Sequence, residues 1–161
     1  LFENIDGVFS LWYENGQQKF ERHYKNGLLH GSRKSWYENG QMEGISNWIN
    51  DKRDGKSIVW FENGQIAFVN YYSNGEFADD STQTAWYQNG QMRSQGNYVS
   101  TRIEWYENGQ KKEEFYYNSK GDDQGCIEWY ENGQKKTESI RKDGKLVDFL
   151  QYNKDGSLKT E

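Results

Sequence analysis

One hexapeptide governs what this chain can fold into. Trp-Tyr/Phe-Glu/Gln-Asn-Gly-Gln occurs six times, starting at Trp12, Trp36, Trp60, Trp86, Trp105 and Trp129, and a worn seventh copy runs from Tyr152 to Gly156. The copies carry Gly16, Gly40, Gly64, Gly90, Gly109, Gly133 and Gly156, at steps of 24, 24, 26, 19, 24 and 23 residues. A period of this length marks a repeat architecture, in which each unit buries surface mainly against its neighbours.

A second, looser turn alternates with the first: Tyr24-Lys-Asn-Gly27, Tyr72-Ser-Asn-Gly75, Tyr117-Asn-Ser-Lys-Gly121 and Arg141-Lys-Asp-Gly144. Asn-Gly between runs of β-favouring residues is a hairpin signal, and no run keeps a helical period. Each repeat therefore reads as two strands and two turns. Counting from the motif glycine, a two-residue loop would set each Trp opposite Lys19, Glu43, Ala67, Arg93, Lys112 or Lys136. A three-residue loop sets it opposite Gln18, Met42, Ile66, Met92, Lys111 or Lys135. The second register also brings Tyr24, Trp48, Tyr72, Tyr98 and Tyr117 to the Trp face, so it predicts a type I turn closed by a bulge with left-handed glycine. A β-branched residue there would cost roughly 1 to 2 kcal/mol or more.

These choices sort the side chains. The expected apolar core face holds Trp12, Trp36, Trp60, Trp86, Trp105 and Trp129, with Val8, Ile58, Ile103 and Ile127 and the five plus-eight aromatics. The opposite, mixed face holds Tyr13, Tyr37, Phe61, Tyr87, Tyr106 and Tyr130, expected as exposed aromatics available for binding. The predicted fold is all-β, an extended, twisted, single antiparallel sheet of about seven hairpin repeats of roughly 24 residues, some 65 Å long at normal strand spacing. Residues 1–161 form one repeat domain: 1–6 an N-terminal edge, 7–150 six hairpin repeats with irregular spacing and a bend near 76–104, and 151–161 a degenerate cap.

Composition agrees and excludes several classes. Leu, Ile, Val and Phe fill only about 17% of positions, near the range of disorder, yet Trp 7, Tyr 12 and Phe 8 with a net charge of -5 argue against a disordered chain. Pro is absent, which suits uninterrupted ladders. No apolar run reaches the roughly 18 residues of a membrane helix. The interleaved, mildly acidic charge lacks the basic footprint of a nucleic-acid binder, and no basic cluster recommends a membrane surface. The chain starts at Leu1 rather than Met, so a segment upstream is expected, and exported and cytoplasmic placements are equally compatible with the sequence.

Residues suited to catalysis are scarce. His23 is expected on a strand of the mixed face, His30 in a turn region, and Cys126 as a small semi-buried thiol with no CxxC partner. Asp79-Asp80 and Asp122-Asp123 read as acidic turns rather than cation sites. The single glycines between strands do not form a phosphate loop, which needs successive glycines leading into a helix. No catalytic residue, metal or cofactor is expected.

The WYENGQ hexapeptide followed by a Tyr-x-Asn-Gly turn resembles the MORN-repeat variant of bacterial proteins, over residues from about 7 to 157. The resemblance implies an extended sheet of hairpins and a non-catalytic binding role; some bacterial members resemble antitoxin or immunity proteins of the YwqK type. A protein partner is thus expected, toxin-like or of the host, through a surface whose Tyr and Trp suit interface hot spots. The alternative is a surface or ligand-binding module for membrane lipid, choline or cell-wall glycan. Open sheet edges also allow an end-to-end homodimer.

Overall fold

The computed structural model describes residues 6–78, 81–97 and 99–160. All regular structure among them is β. Fourteen strands follow one another: β1 Gly7–Trp12, β2 Gln18–Lys25, β3 Leu28–Trp36, β4 Met42–Ile49, β5 Lys52–Trp60, β6 Ile66–Ser73, β7 Glu76–Phe77, β8 Gln83–Trp86, β9 Met92–Gly96, β10 Thr101–Trp105, β11 Lys111–Tyr117, β12 Asp123–Trp129, β13 Lys135–Lys142 and β14 Lys145–Gln151. The chain divides into two compact units, Leu1–Ala78 and Asp79–Glu161. In the first, β1 to β6 pair in chain order and β7 pairs with β6; in the second, β8 to β14 pair in chain order. Every pairing is antiparallel, so the fold is the expected all-β array of tandem hairpins.

The hexapeptide turns have the three-residue geometry. Tyr13 N–H donates to Gln17 C=O at 2.8 Å and Gly16 N–H to Tyr13 C=O at 3.0 Å, and the same pair of bonds closes the turns at Tyr37, Phe61, Tyr87, Tyr106 and Tyr130. Gly16, Gly40, Gly64, Gly90, Gly109 and Gly133 have φ between 83° and 86°, the left-handed region in which a Cβ collides with the backbone. Turns at the other edge are tighter. Lys25 pairs with Leu28 across Asn26-Gly27, Ile49 with Lys52 across Asn50-Asp51, and Lys142 with Lys145 across Asp143-Gly144. Their central residues all have positive φ, the mirror-image turn whose twist matches that of the strands.

Trp12 pairs with Gln18, Trp36 with Met42, Trp60 with Ile66, Trp86 with Met92, Trp105 with Lys111 and Trp129 with Lys135. One residue further the register slips. Leu11 pairs with Phe20, Ser35 with Gly44 and Glu104 with Glu113, leaving Lys19, Glu43 and Lys112 unmatched. Each repeat thus carries a second bulge just past the turn, and a bulge of one residue reverses the facing of everything after it. The plus-eight aromatics therefore do not join the Trp face as expected. Tyr24, Trp48, Tyr72 and Tyr117 lie on the opposite face, where Trp48 stands across from Gly31 and Tyr72 across from Gly55. Tyr98 and the Asp79-Asp80 pair lie outside the described residues.

Nor does either face form an enclosed core. Among the described residues only Ala67, Ala85, Ser46 and Gly125 are buried, and no large side chain is fully so. Trp12 is 56% exposed on the edge strand and the other motif Trp residues are half-buried, because no second layer covers the sheet of either unit.

Candidate binding faces

The six motif aromatics offered as exposed binding residues are half-buried, and five of them are tied down. Each tyrosine hydroxyl donates to a backbone carbonyl of the following repeat: Tyr13 to Trp36, Tyr37 to Trp60, Tyr87 to Trp105, Tyr106 to Trp129 and Tyr130 to Tyr152, at 2.7 to 3.0 Å. Phe61 has no hydroxyl to give. Burial raises the pKa of Tyr37 and Tyr106; Glu43 and Glu62 push Tyr37 the same way, whereas at Tyr106 the Lys136 charge opposes it. The remaining motif positions work likewise. Asn15 accepts from Gln17 N–H within its own turn and donates its amide to Glu38 C=O one repeat on; Asn39, Asn108 and Asn132 do the same toward Glu62, Glu131 and Lys154. The Gln41 side chain covers the turn at Gly64 so closely that a Cβ there would sit 2.6 Å from its amide oxygen.

The hexapeptide is therefore a stapling device. Its Tyr, Asn and Gln join successive repeats of a unit along the turn edge. The worn copy at Tyr152 to Gly156 accepts from Tyr130 and Asn132, but has Asn153 and Asp155 where Tyr and Asn would donate onward. Asn153 turns back to Ser157 instead.

The catalytic-type residues are dispersed. His23, expected on the mixed face, lies across from Val8 on the Trp face as a result of the bulge, with Nε2 3.2 Å from Glu21. Lys34 and His23 together hold the Glu21 carboxyl below its ordinary pKa, Lys34 having the larger effect. His30 is not in a turn but in β3, beside Asn50. Cys126 is half-buried in β12 against the Ser139 hydroxyl. Asp122 belongs to a turn organised by Asn118, and Asp123 pairs with Arg141 at 3.1 Å. Among the described residues no three His, Cys, Asp or Glu side chains are grouped to hold a metal ion, and no helix is long and apolar enough to cross a membrane.

What distinguishes the repeats from one another lies on the face bearing the plus-eight aromatics. In the second unit three of its cations are matched: Arg102 with Glu104, Lys112 with Glu104, Lys136 with Glu128. In the first unit Arg53 packs over the rings of Trp48 and Tyr72, at 5.4 and 5.1 Å from their centroids, and donates to the Tyr72 hydroxyl at 2.9 Å. Arg22 packs over Phe20 at 4.2 Å. The sequence shows no basic run, yet pairing brings Arg22, Arg33 and Arg53 onto this one face.

Hairpins stapled in series, with the side chains of both faces accessible, define a tandem-hairpin repeat protein. The family model described as "MORN repeat variant" matches residues 5–26, 29–50, 53–74, 80–100 and 101–119, more than half of the chain. The chain belongs to that family. Its sixth hexapeptide lies beyond the matched segments, but Tyr130 and Asn132 make the same staples. Curated proteins provide no significant match.

Proposed function

We propose that this chain is a non-catalytic module that binds a protein partner across its uncovered sheet faces, with an antitoxin or immunity role favoured by the family resemblance. One observation carries this reading: large apolar and aromatic side chains stay accessible on both faces. Phe68 and Tyr71 are each 37% exposed on opposite faces of β6, and almost nothing is buried beneath them. Rigid aromatics among amide and charged groups supply contact area at low side-chain entropy. The dispersal of His23, His30 and Cys126, each engaged by a neighbour, supports a role without catalysis.

Caging of choline or another quaternary ammonium is disfavoured, because the Arg53 guanidinium already occupies the Trp48 and Tyr72 pair. Self-association is the second reading, favoured by the edge strands: β1 exposes Val8, Phe9, Leu11 and Trp12, and β14 exposes Leu146, Val147 and Phe149. The deciding experiment is reconstitution of the purified chain with the protein encoded beside its gene, followed by light scattering. A stoichiometric complex supports the reading. A monomeric chain that turns over a substrate and forms no complex overturns it, whereas a dimer without a partner leaves the edges as the working surface.

A further inference from the structure

Three guanidinium groups of the first unit share a face without a carboxylate of their own. Arg22 pairs directly across from Arg33, and Arg53 stands across from Trp48 two strands on. Like charges placed opposite one another destabilise a sheet. Burial, together with the charges of Arg22 and Arg53, lowers the pKa of Arg33. The Arg22 Nε is buried with no hydrogen-bond partner, an arrangement that costs free energy until an acceptor arrives. Arg33 and Arg53 line a shallow groove of about 210 Å³ together with Ser35, Ser46 and Ser57. The Ser46 hydroxyl accepts from Trp48 Nε1 at 2.8 Å and so keeps its own proton to donate. Glu43, on the bulge, also lines the groove, but among the described residues none of the three arginines is within ion-pair distance of an acid.

The second unit shows what is missing. Five residues before the motif glycine it has Glu104 and Glu128, and four after it Glu113; the first unit has Leu11, Ser35 and Val59 at the former position and Phe20, Gly44 and Phe68 at the latter. The same scaffold therefore accommodates a carboxylate at these two positions, and the first unit omits both, leaving Glu43 on the bulge as the acid nearest to Arg33 in the groove. We propose that Arg22, Arg33 and Arg53, with the hydroxyls of Ser35, Ser46 and Ser57, receive carboxylate side chains from an acidic segment of a protein partner. This rests on the protein-binding reading above. Phe20, Trp48 and Tyr72 beside the arginines give a peptide apolar contact as well as charge. The net charge of -5 opposes an extended polyanion such as nucleic acid or an anionic bilayer, while screening over about 8 Å leaves short-range pairing with a carboxylate intact.

The test is calorimetric titration of the full chain with hexaglutamate peptide, with inorganic phosphate and phosphatidylserine-containing vesicles titrated in parallel. The peptide is expected to bind, more weakly as salt rises. Arg33→Gln is expected to weaken it about tenfold or more, the loss of a charge-assisted hydrogen bond, and Arg141→Gln in the second unit to leave it unchanged. Ser57→Asp, which sets a carboxylate inside the groove, is expected to abolish binding while raising the melting temperature; it decides the matter if Arg33→Gln does not fold. No peptide binding, equal losses in Arg33→Gln and Arg141→Gln, or tighter binding of phosphate or vesicles overturns the proposal. A natural protein complex that Arg33→Gln leaves intact overturns the site but keeps the binding function; hexaglutamate binding without any natural complex does the reverse.

Discussion

Tyr106 illustrates how a single hydroxyl can serve two repeats. Its ring belongs to one hairpin while its proton is held by Trp129 C=O of the next, 2.8 Å away. Tyr106→Phe removes that bond and leaves the carbonyl short of a donor, so a loss of about 1 kcal/mol is expected in calorimetric unfolding. Phe61 shows that the ring alone is tolerated at this position. The same hydroxyls set an alkaline limit. Folding raises the pKa of Tyr37 and Tyr106 above the ordinary value of 10.0, burial being the first cause in each. Their contribution is therefore complete below pH 10 and lost as pH rises through the folded-state values, since a phenolate cannot donate to a carbonyl. Urea midpoints measured across this range should fall above pH 10, and fall less steeply in a Tyr37→Phe, Tyr106→Phe double variant. The hydroxyl acceptors were not legible in the sequence, because each lies on the backbone of a residue 18 to 23 positions away.

At the level of strands and turns the sequence was more informative. Trp opposite the plus-two residue, left-handed glycine and the Asn-Gly turns at the far edge all followed from motif spacing and turn chemistry. The plus-three bulge did not, because counting parity along a strand assumes unbroken alternation. Its consequence was to move Tyr24, Trp48, Tyr72 and Tyr117 to the other face, and His23 in the opposite sense. The arginine cluster was hidden in part for the same reason: Arg22, Arg33 and Arg53 are far apart in sequence, and Arg22 joins the face of the other two only in the bulged register. Strand contacts also fix single positions that the repeat pattern does not mark. Gly125 in β12 has φ 132°, and a Cβ there would lie 2.1 Å from Ser139 C=O on β13. Gly125→Ala should cost about 2 to 3 kcal/mol by combining backbone strain with displacement of the neighbouring strand. Chemical denaturation would show this as a lowered midpoint, and hydrogen exchange as faster opening of β12 and β13.

For the molecule as a whole, the proposed function gives stapling and binding to different residues. The repeated Tyr, Asn and Gln hold neighbouring hairpins together, and recognition is proposed to fall to positions that vary between repeats, such as Arg33, Trp48 and Phe68. A chain with few aliphatic residues keeps its order in this way without an enclosed core, and spends its large side chains on accessible faces. The most direct test of this division is the affinity of the reconstituted partner complex for a Tyr37→Phe, Tyr106→Phe chain, measured by calorimetry at a temperature where that chain is fully folded. If this division holds, the dissociation constant is unchanged in a protein that melts at a lower temperature. A dissociation constant raised about tenfold by loss of the two hydroxyls, roughly 1.4 kcal/mol of binding energy, would place the motif tyrosines in the interface and contradict it.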